Sequence, residues 1–171
     1  MQNDILQLHP YSLADIGDFR NPKNEFETMG FYQNLNKVPF GKQLITEAGM
    51  AYRTVSEMLF GKTFNLVQTT NLQLPENIRG GAFQDSSGDY TYVLWAETDG
   101  DNTENATAIY SFPDMMNIEF VESQNWNAAA TKRKGLFDSK NIESTGSPLF
   151  FSKTEEEPEI RYSLLGDCFP N

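Results

Sequence analysis

The sequence is poor in the residues that much protein chemistry is built from. One cysteine, Cys168, and one histidine, His9, stand in 171 residues. A single cysteine excludes an internal disulfide and any multi-cysteine metal cluster, and it leaves the redox compartment open. A single histidine excludes a metal site built on several imidazoles and a nucleophile relay with a spare base. Positive charge is also scarce: 13 Lys plus Arg face 24 Asp plus Glu, for a formal charge of -11. A surface of that sign repels phosphate backbones and anionic head groups, so neither nucleic acid nor a membrane surface is an expected partner. Long apolar runs are missing as well. Nothing approaches the roughly 20 apolar residues of a membrane-spanning helix, and the start MQNDILQLHPYSL lacks the basic-then-apolar order of a signal peptide, so none is expected there.

What is present is enough apolar material for a packed core. Hydrophobic residues make up 39% of the chain and aromatics 13%, too much for a disordered segment. The length suits one ordinary domain, or a domain of about 110 residues with a substantial extension.

The opening reads as a short strand at 5–8 stopped by Pro10, followed by a polar loop over 15–24. Nothing nearby offers the strand a partner. Over 43–59 the run QLITEAGMAYRTVSEML places Leu44, Ala48, Ala51, Val55, Met58 and Leu59 on one helical stripe, with Glu47, Arg53, Thr54 and Glu57 facing away. Arg53 and Glu57 stand one turn apart as a surface pair, and Gly61 falls where a left-handed helix cap belongs.

After Lys62 the texture changes to short aromatic and β-branched runs separated by turn clusters, the pattern of an antiparallel sandwich or barrel. Strands are predicted at 63–69, 81–84, 90–97, 106–112, 118–122, 128–133, 148–152 and 159–164. Asp85, Ser86, Ser87, Gly88 and Asp89 supply the turn of a hairpin. In YTYVLWAE both faces are largely apolar, which predicts a central strand covered on both sides.

The segments AYRTVSEMLFGKTFN, IRGGAFQDSSGDYTYVLWAET, ATAIYSFP and STGSPLFF occur in that order between residues 51 and 151, within a likeness that covers most of 29–152. Together they resemble the C-terminal region of clan A (β/α)8 glycoside hydrolases, especially bacterial proteins related to the β-xylosidase and α-iduronidase type. The resemblance implies a mainly β fold: an antiparallel β-sandwich at 61–171, preceded at 1–60 by a strand–loop–helix remnant of a (β/α)8 barrel. ILQLHPYSLAD would be the eighth barrel strand and DFRNPKNEFETMGFYQNL the loop feeding the eighth helix. In such families the acid/base and nucleophile glutamates follow strands four and seven, so no position here inherits either role. The resemblance further implies a bacterial parent, secreted or periplasmic, while the localisation of this chain stays open.

Candidate sites are weighed against that frame. Glycoside cleavage needs two carboxyl groups about 5 Å apart or somewhat more across a sugar. Glu25 and Glu27 lie on a loop with no evident opposing carboxylate, so no catalytic residue is expected. His9 and Tyr11 sit at the end of the first strand, where barrel enzymes build their sites, and in an intact parent they could line a sugar pocket. Asp99, Asp101 and Glu104 are oxygen ligands of the kind calcium takes but lack the spacing of a calcium loop, and a solvated loop is the favoured reading. No cofactor is expected. Trp95, Trp126, Tyr90, Tyr92 and Tyr110 could form a sugar-stacking platform, although aromatics on sandwich strands are more often core. Trp126 is the better candidate because it lies in the polar stretch SQNWNAA. Lys132, Arg133 and Lys134, and Glu155 to Glu157, read as solvated turns.

Two functions follow. In the first, the chain is a non-catalytic part of a glycosidase-like protein whose sandwich supports the barrel, so its main partner is the rest of the barrel. The alternative is a free-standing carbohydrate-binding module with carbohydrate as partner. An independent enzyme is a third reading, against which the missing carboxylate pair argues. In the first, Ile5, Leu8, Phe31, Leu44, Val55 and Met58 form an orphaned apolar face, which either folds back on the sandwich or pairs two copies through it, self-association being the favoured outcome.

Overall fold

The computed structural model describes residues 12–18, 20–37, 39, 42–97, 105–127 and 134–158. The first strand, β1 (Ser12–Ala14), pairs in parallel with β2 (Gly30–Tyr32), Ser12 opposite Gly30 and Ala14 opposite Tyr32. The polar loop between them contains one 3-10 turn at Glu25–Thr28. Asp15 fixes the crossover, because its Oδ1 accepts the Gly30 N–H at 2.9 Å and its own N–H donates to the Tyr32 carbonyl at 2.8 Å. The expected strand at 5–8 lies outside the described residues, as do Ile5 and Leu8.

Helix α1 (Glu47–Leu59) lies within the predicted stretch. It starts where Thr46 Oγ1 accepts the Gly49 N–H at 3.1 Å, and the same hydroxyl donates to the Gly30 carbonyl at 2.6 Å, joining the cap to β2. It stops at Gly61, whose φ of 75° is the left-handed value that glycine adopts without strain. Arg53 and Glu57 pair at 2.7 Å.

The rotation of the helix differs from the apolar stripe. Thr54, expected to face away, is buried and donates to the Met50 carbonyl at 2.9 Å, whereas Val55 is 44% exposed and Leu44, ahead of the helix, is 56% exposed. The cause is a close backbone approach. A Cβ on Gly49 would fall 2.2 Å from the Phe31 carbonyl oxygen, so only glycine lets the helix seat on β2, and Tyr52 stacks on Phe31 with ring centroids 4.6 Å apart.

The remaining elements are β3 (Thr63–Phe64), α2 (Leu66–Asn71), β4 (Ile78–Gln84), β5 (Tyr90–Ala96), β6 (Thr107–Tyr110), β7 (Phe120–Asn125), β8 (Lys134–Asp138), β9 (Ile142–Thr145) and β10 (Leu149–Thr154). Six form one antiparallel sheet in the order β3-β4-β5-β10-β7-β8, and β6 pairs with β9 in a separate antiparallel ribbon. The chain is therefore β-rich and antiparallel from Thr63 onward, as its periodicity predicts. β5 runs between β4 and β10, the central place expected from its two apolar faces. The predicted hairpin joins β4 to β5, with Asp85 Oδ1 accepting the N–H groups of Ser87 and Asp89.

Three strand assignments differ from expectation. Only the first two residues of the predicted strand at 63–69 are extended. There Asn65 Oδ1 accepts the Gln68 N–H at 2.9 Å and starts α2, so a local cap overrides β-branched propensity. Thr69 Oγ1 then accepts the Ala82 N–H at 2.9 Å, so α2 continues the edge of β4 where β3 ends. Strands β8 and β9 were not anticipated, and Lys134, expected in a turn, opens β8 and pairs with Glu122. The strands expected at 128–133 and 159–164 lie outside the described residues.

The ribbon covers one face of the sheet. Ile78, Ala82, Tyr92, Leu94, Val121 and Phe151 from the sheet share a core with Ala108, Tyr110 and Ile142 from the ribbon. Phe112, just past β6, is 1% exposed and meets Tyr92, Tyr110 and Phe151 edge to face at centroid distances of 5.3, 5.1 and 6.1 Å. Tyr110 also donates its hydroxyl to the Leu72 carbonyl at 2.6 Å, tying the ribbon to the end of α2, and burial pushes its phenol pKa far up. Replacing Phe112 with Ala should cost about 3–5 kcal/mol in urea unfolding, and Tyr110→Phe about 1–3 kcal/mol by stranding the Leu72 carbonyl. A Phe112→Ala loss below about 0.5 kcal/mol would contradict this packing.

Candidate functional site

Beyond the uncovered edge of β9, the inner face of the sheet opens into a groove of about 370 Å³. Strand alternation builds its floor. Val121 and Ser123 of β7 point inward, and Ser123 stands opposite Phe151 of β10 and Gly135 of β8. Asn125, Trp126 and Asn127 continue from β7 into the groove wall, Phe137 and Leu149 add apolar surface, and Glu143, Thr145 and Ser147 line the opposite side. Gly135 gives Phe137 room, since a Cβ there would fall 2.5 Å from the Phe137 ring and 2.9 Å from Ser123 Oγ.

The lining carries one carboxylate, Glu143, and no Lys, Arg or His. Among the described residues, the side chains of Asn125, Asn127, Trp126 and Glu143 have no recorded hydrogen bond or ion pair, whereas Thr145 Oγ1 accepts the Ser147 N–H at 3.4 Å. Unspent donors and acceptors thus flank two aromatic side chains in a concave space.

Two further hollows are spent on internal pairs. One, of about 360 Å³, holds Asp114, Glu119, Asp138 and Lys140. There Lys140 Nζ donates to Asp114 Oδ1 at 2.5 Å and to the Phe112 carbonyl at 2.7 Å, and this pairing lowers the Asp114 pKa. The other, of about 290 Å³, lies beside the hairpin and includes Asp85, which accepts from Lys62 Nζ at 3.0 Å.

Of the candidates read from sequence, Trp126 alone lies in a described groove. His9, Tyr11, Asp99, Asp101 and Glu104 lie outside the described residues. No group of three or more His, Cys, Asp or Glu suited to a metal occurs among the described residues. Tyr92 and Tyr110 are 3% exposed and belong to the core, and Tyr90 packs against it, so the broad aromatic platform does not form. Trp95 is half-buried on the opposite face of β5 from Tyr92. Glu27 closes its loop: its Oε2 accepts the Lys23 N–H at 2.9 Å and its carbonyl accepts from Ile16 and Gly17. The side chain of Glu25 lies outside the described residues. Sequence reasoning missed Glu143, Asn125 and Phe137, because the groove depends on the pairing of strands β8 and β9 that it did not find. Compared with known proteins, the chain matches no family model and no curated protein.

Asp85 yields a pH test of the second hollow. The Lys62 hydrogen bond, partly opposed by desolvation and helped by the Asp89 and Ser87 N–H groups, lowers its pKa from the ordinary 3.8. A carboxyl with a depressed folded pKa adds stability that is present above its unfolded pKa and is lost as pH falls through the folded value. Asp85→Asn should therefore lower Tm near neutral pH, with the gap from the parent closing as pH drops below 3.8. A gap of constant size down to about pH 2 would contradict the pairing.

Proposed function

We propose that this chain is a non-catalytic C-terminal portion of a protein related to glycoside hydrolases, in which the sheet and ribbon form a β-sandwich that supports a (β/α)8 barrel. On this reading residues 12–60 are the end of the barrel: β1 and the following loop lead into α1, its last helix. Their natural partner is the rest of that barrel.

The observation that carries the reading is the uneven distribution of exposed apolar side chains. Leu13, Ile16, Phe26, Leu44, Val55 and Phe60 are between 44% and 90% exposed. After residue 60, Leu66, Val67, Ile109, Met115 and Phe137 are exposed as well, but there the sheet and ribbon also enclose a core in which Leu72, Ile78, Leu94, Val121 and Phe151 are fully buried. A surface that exposes so many large apolar groups on one segment is of the kind that marks an interaction site. Of the residues expected on that face, Leu44 and Val55 are exposed, while Phe31 is half-buried against Tyr52 and Met58 is half-buried on α1. The order of the segments resembling the family supports the identity of the partner, and the seating of α1 on β2 through Gly49 supports a segment built to hold its shape.

Without its barrel, the apolar segment should find a substitute, and a twofold pairing of two copies buries it in a self-complementary way. Sedimentation velocity on the 171-residue chain should show a concentration-dependent dimer, and a version beginning at Phe60 should sediment as a monomer. A full chain that stays monomeric at high concentration, and is no less soluble than the shortened one, would remove the physical support for the barrel partner.

A further inference from the structure

The groove beyond β9 is not used by the supporting role just described. We propose that it binds a neutral saccharide, with Trp126 as the stacking surface and Glu143, Asn125 and Asn127 as hydrogen-bonding groups.

The argument starts from what a sugar ring presents. Its faces are C–H surfaces and its rim is a ring of hydroxyls, each both donor and acceptor. A matching site needs an apolar plate, and beside it groups that accept and donate in the same plane. The groove supplies both. Trp126 and Phe137 line it, and Phe137 is 44% exposed over the space that Gly135 leaves. The two asparagine amides donate and accept, and the Glu143 carboxylate accepts only. These side chains are not committed to other described residues, so a ligand would not have to break protein bonds to reach them. The volume of about 370 Å³ lies within the range of small-molecule clefts, about 300–1,000 Å³.

Charge narrows the ligand class. The lining offers one carboxylate and no cation, on a chain of formal charge -11. A phosphate, sulfate or uronate would meet Glu143 with no cation among the described lining residues to offset the repulsion. Lys134, at the start of β8, is engaged with Glu122. The other two hollows are disfavoured as sugar sites, because Lys140 and Asp85 in them are held in ion pairs with Asp114 and Lys62 and neither lining contains a tryptophan.

Isothermal titration calorimetry on the full chain tests the proposal, with cellohexaose, xylohexaose and mannohexaose as neutral probes and trigalacturonate as the anionic comparison. At least one neutral probe should bind saturably and trigalacturonate should not. Trp126→Ala should weaken binding at least about tenfold, as expected for removal of an aromatic anchor. Glu143→Ala, at an exposed position of β9, should weaken it severalfold with an unchanged Tm. If Trp126→Ala fails to fold, Glu143→Ala alone decides. The proposal is overturned if no neutral probe binds, if trigalacturonate binds as tightly as the neutral probes, or if folded variants bind like the parent.

Discussion

The Phe112 ring joins the six-stranded sheet and the β6–β9 ribbon in one core. It leaves the ribbon just after β6 and inserts edge-on between Tyr110 of the ribbon and Tyr92 and Phe151 of the sheet, whose strands β5 and β10 are adjacent. Three edge-to-face contacts on one side chain bring together residues from 92 to 151, long-range pairings that no local propensity supplies. Around this ring the other features find their places. The Tyr110 hydroxyl reaches Leu72 and fixes the end of α2, and α2 in turn bonds the edge of β4 through Thr69. Among the described residues the ribbon consists of β6 and β9, and the groove at Trp126 is lined by residues of β7, β8, β9 and β10.

The two functional surfaces arise from different causes. The apolar side chains of residues 12–60 are exposed because that segment closes on itself by side-chain-to-backbone hydrogen bonds, Asp15 to Gly30 and Thr46 to Gly30, and by the close approach of Gly49 to Phe31. Such bonds fix a shape while burying little side-chain area, which leaves apolar surface for a partner. The groove follows from strand alternation, which sets the buried Ser123 and the exposed Asn125 on one face of β7, with Gly135 of β8 opposite Ser123.

Much of this was legible in the sequence where one local cause dominates. Gly61 ended the helix, Asp85 to Asp89 made the hairpin, and the apolar character of both faces of YTYVLWAE put β5 in the centre. Where two causes compete, the sequence misleads. Asn65 capping turned a β-branched run into α2, and the Gly49 contact rotated α1 so that Thr54 was buried and Val55 exposed. Strand β8 has no β-branched residue and β9 is only four residues long, so both take their conformation from pairing with β7 and β6, which only the tertiary fold specifies. Trp126 was recognisable from its polar neighbours, but its companions Phe137 and Glu143 come from those two strands.

The central claim is that the core around Phe112 is complete in itself, while residues 12–60 await a partner. Native-state amide hydrogen exchange on the dilute full chain tests this most directly, because it resolves opening free energies along one molecule. The account predicts that amides paired between β5 and β10, such as those near Val93 and Phe151, open only with global unfolding. The amides of α1 and β2 should open at distinctly lower free energy and gain protection as concentration rises. Equal protection of α1 and β5 at all concentrations would contradict the claim, since it would make the N-terminal segment part of the same self-sufficient core.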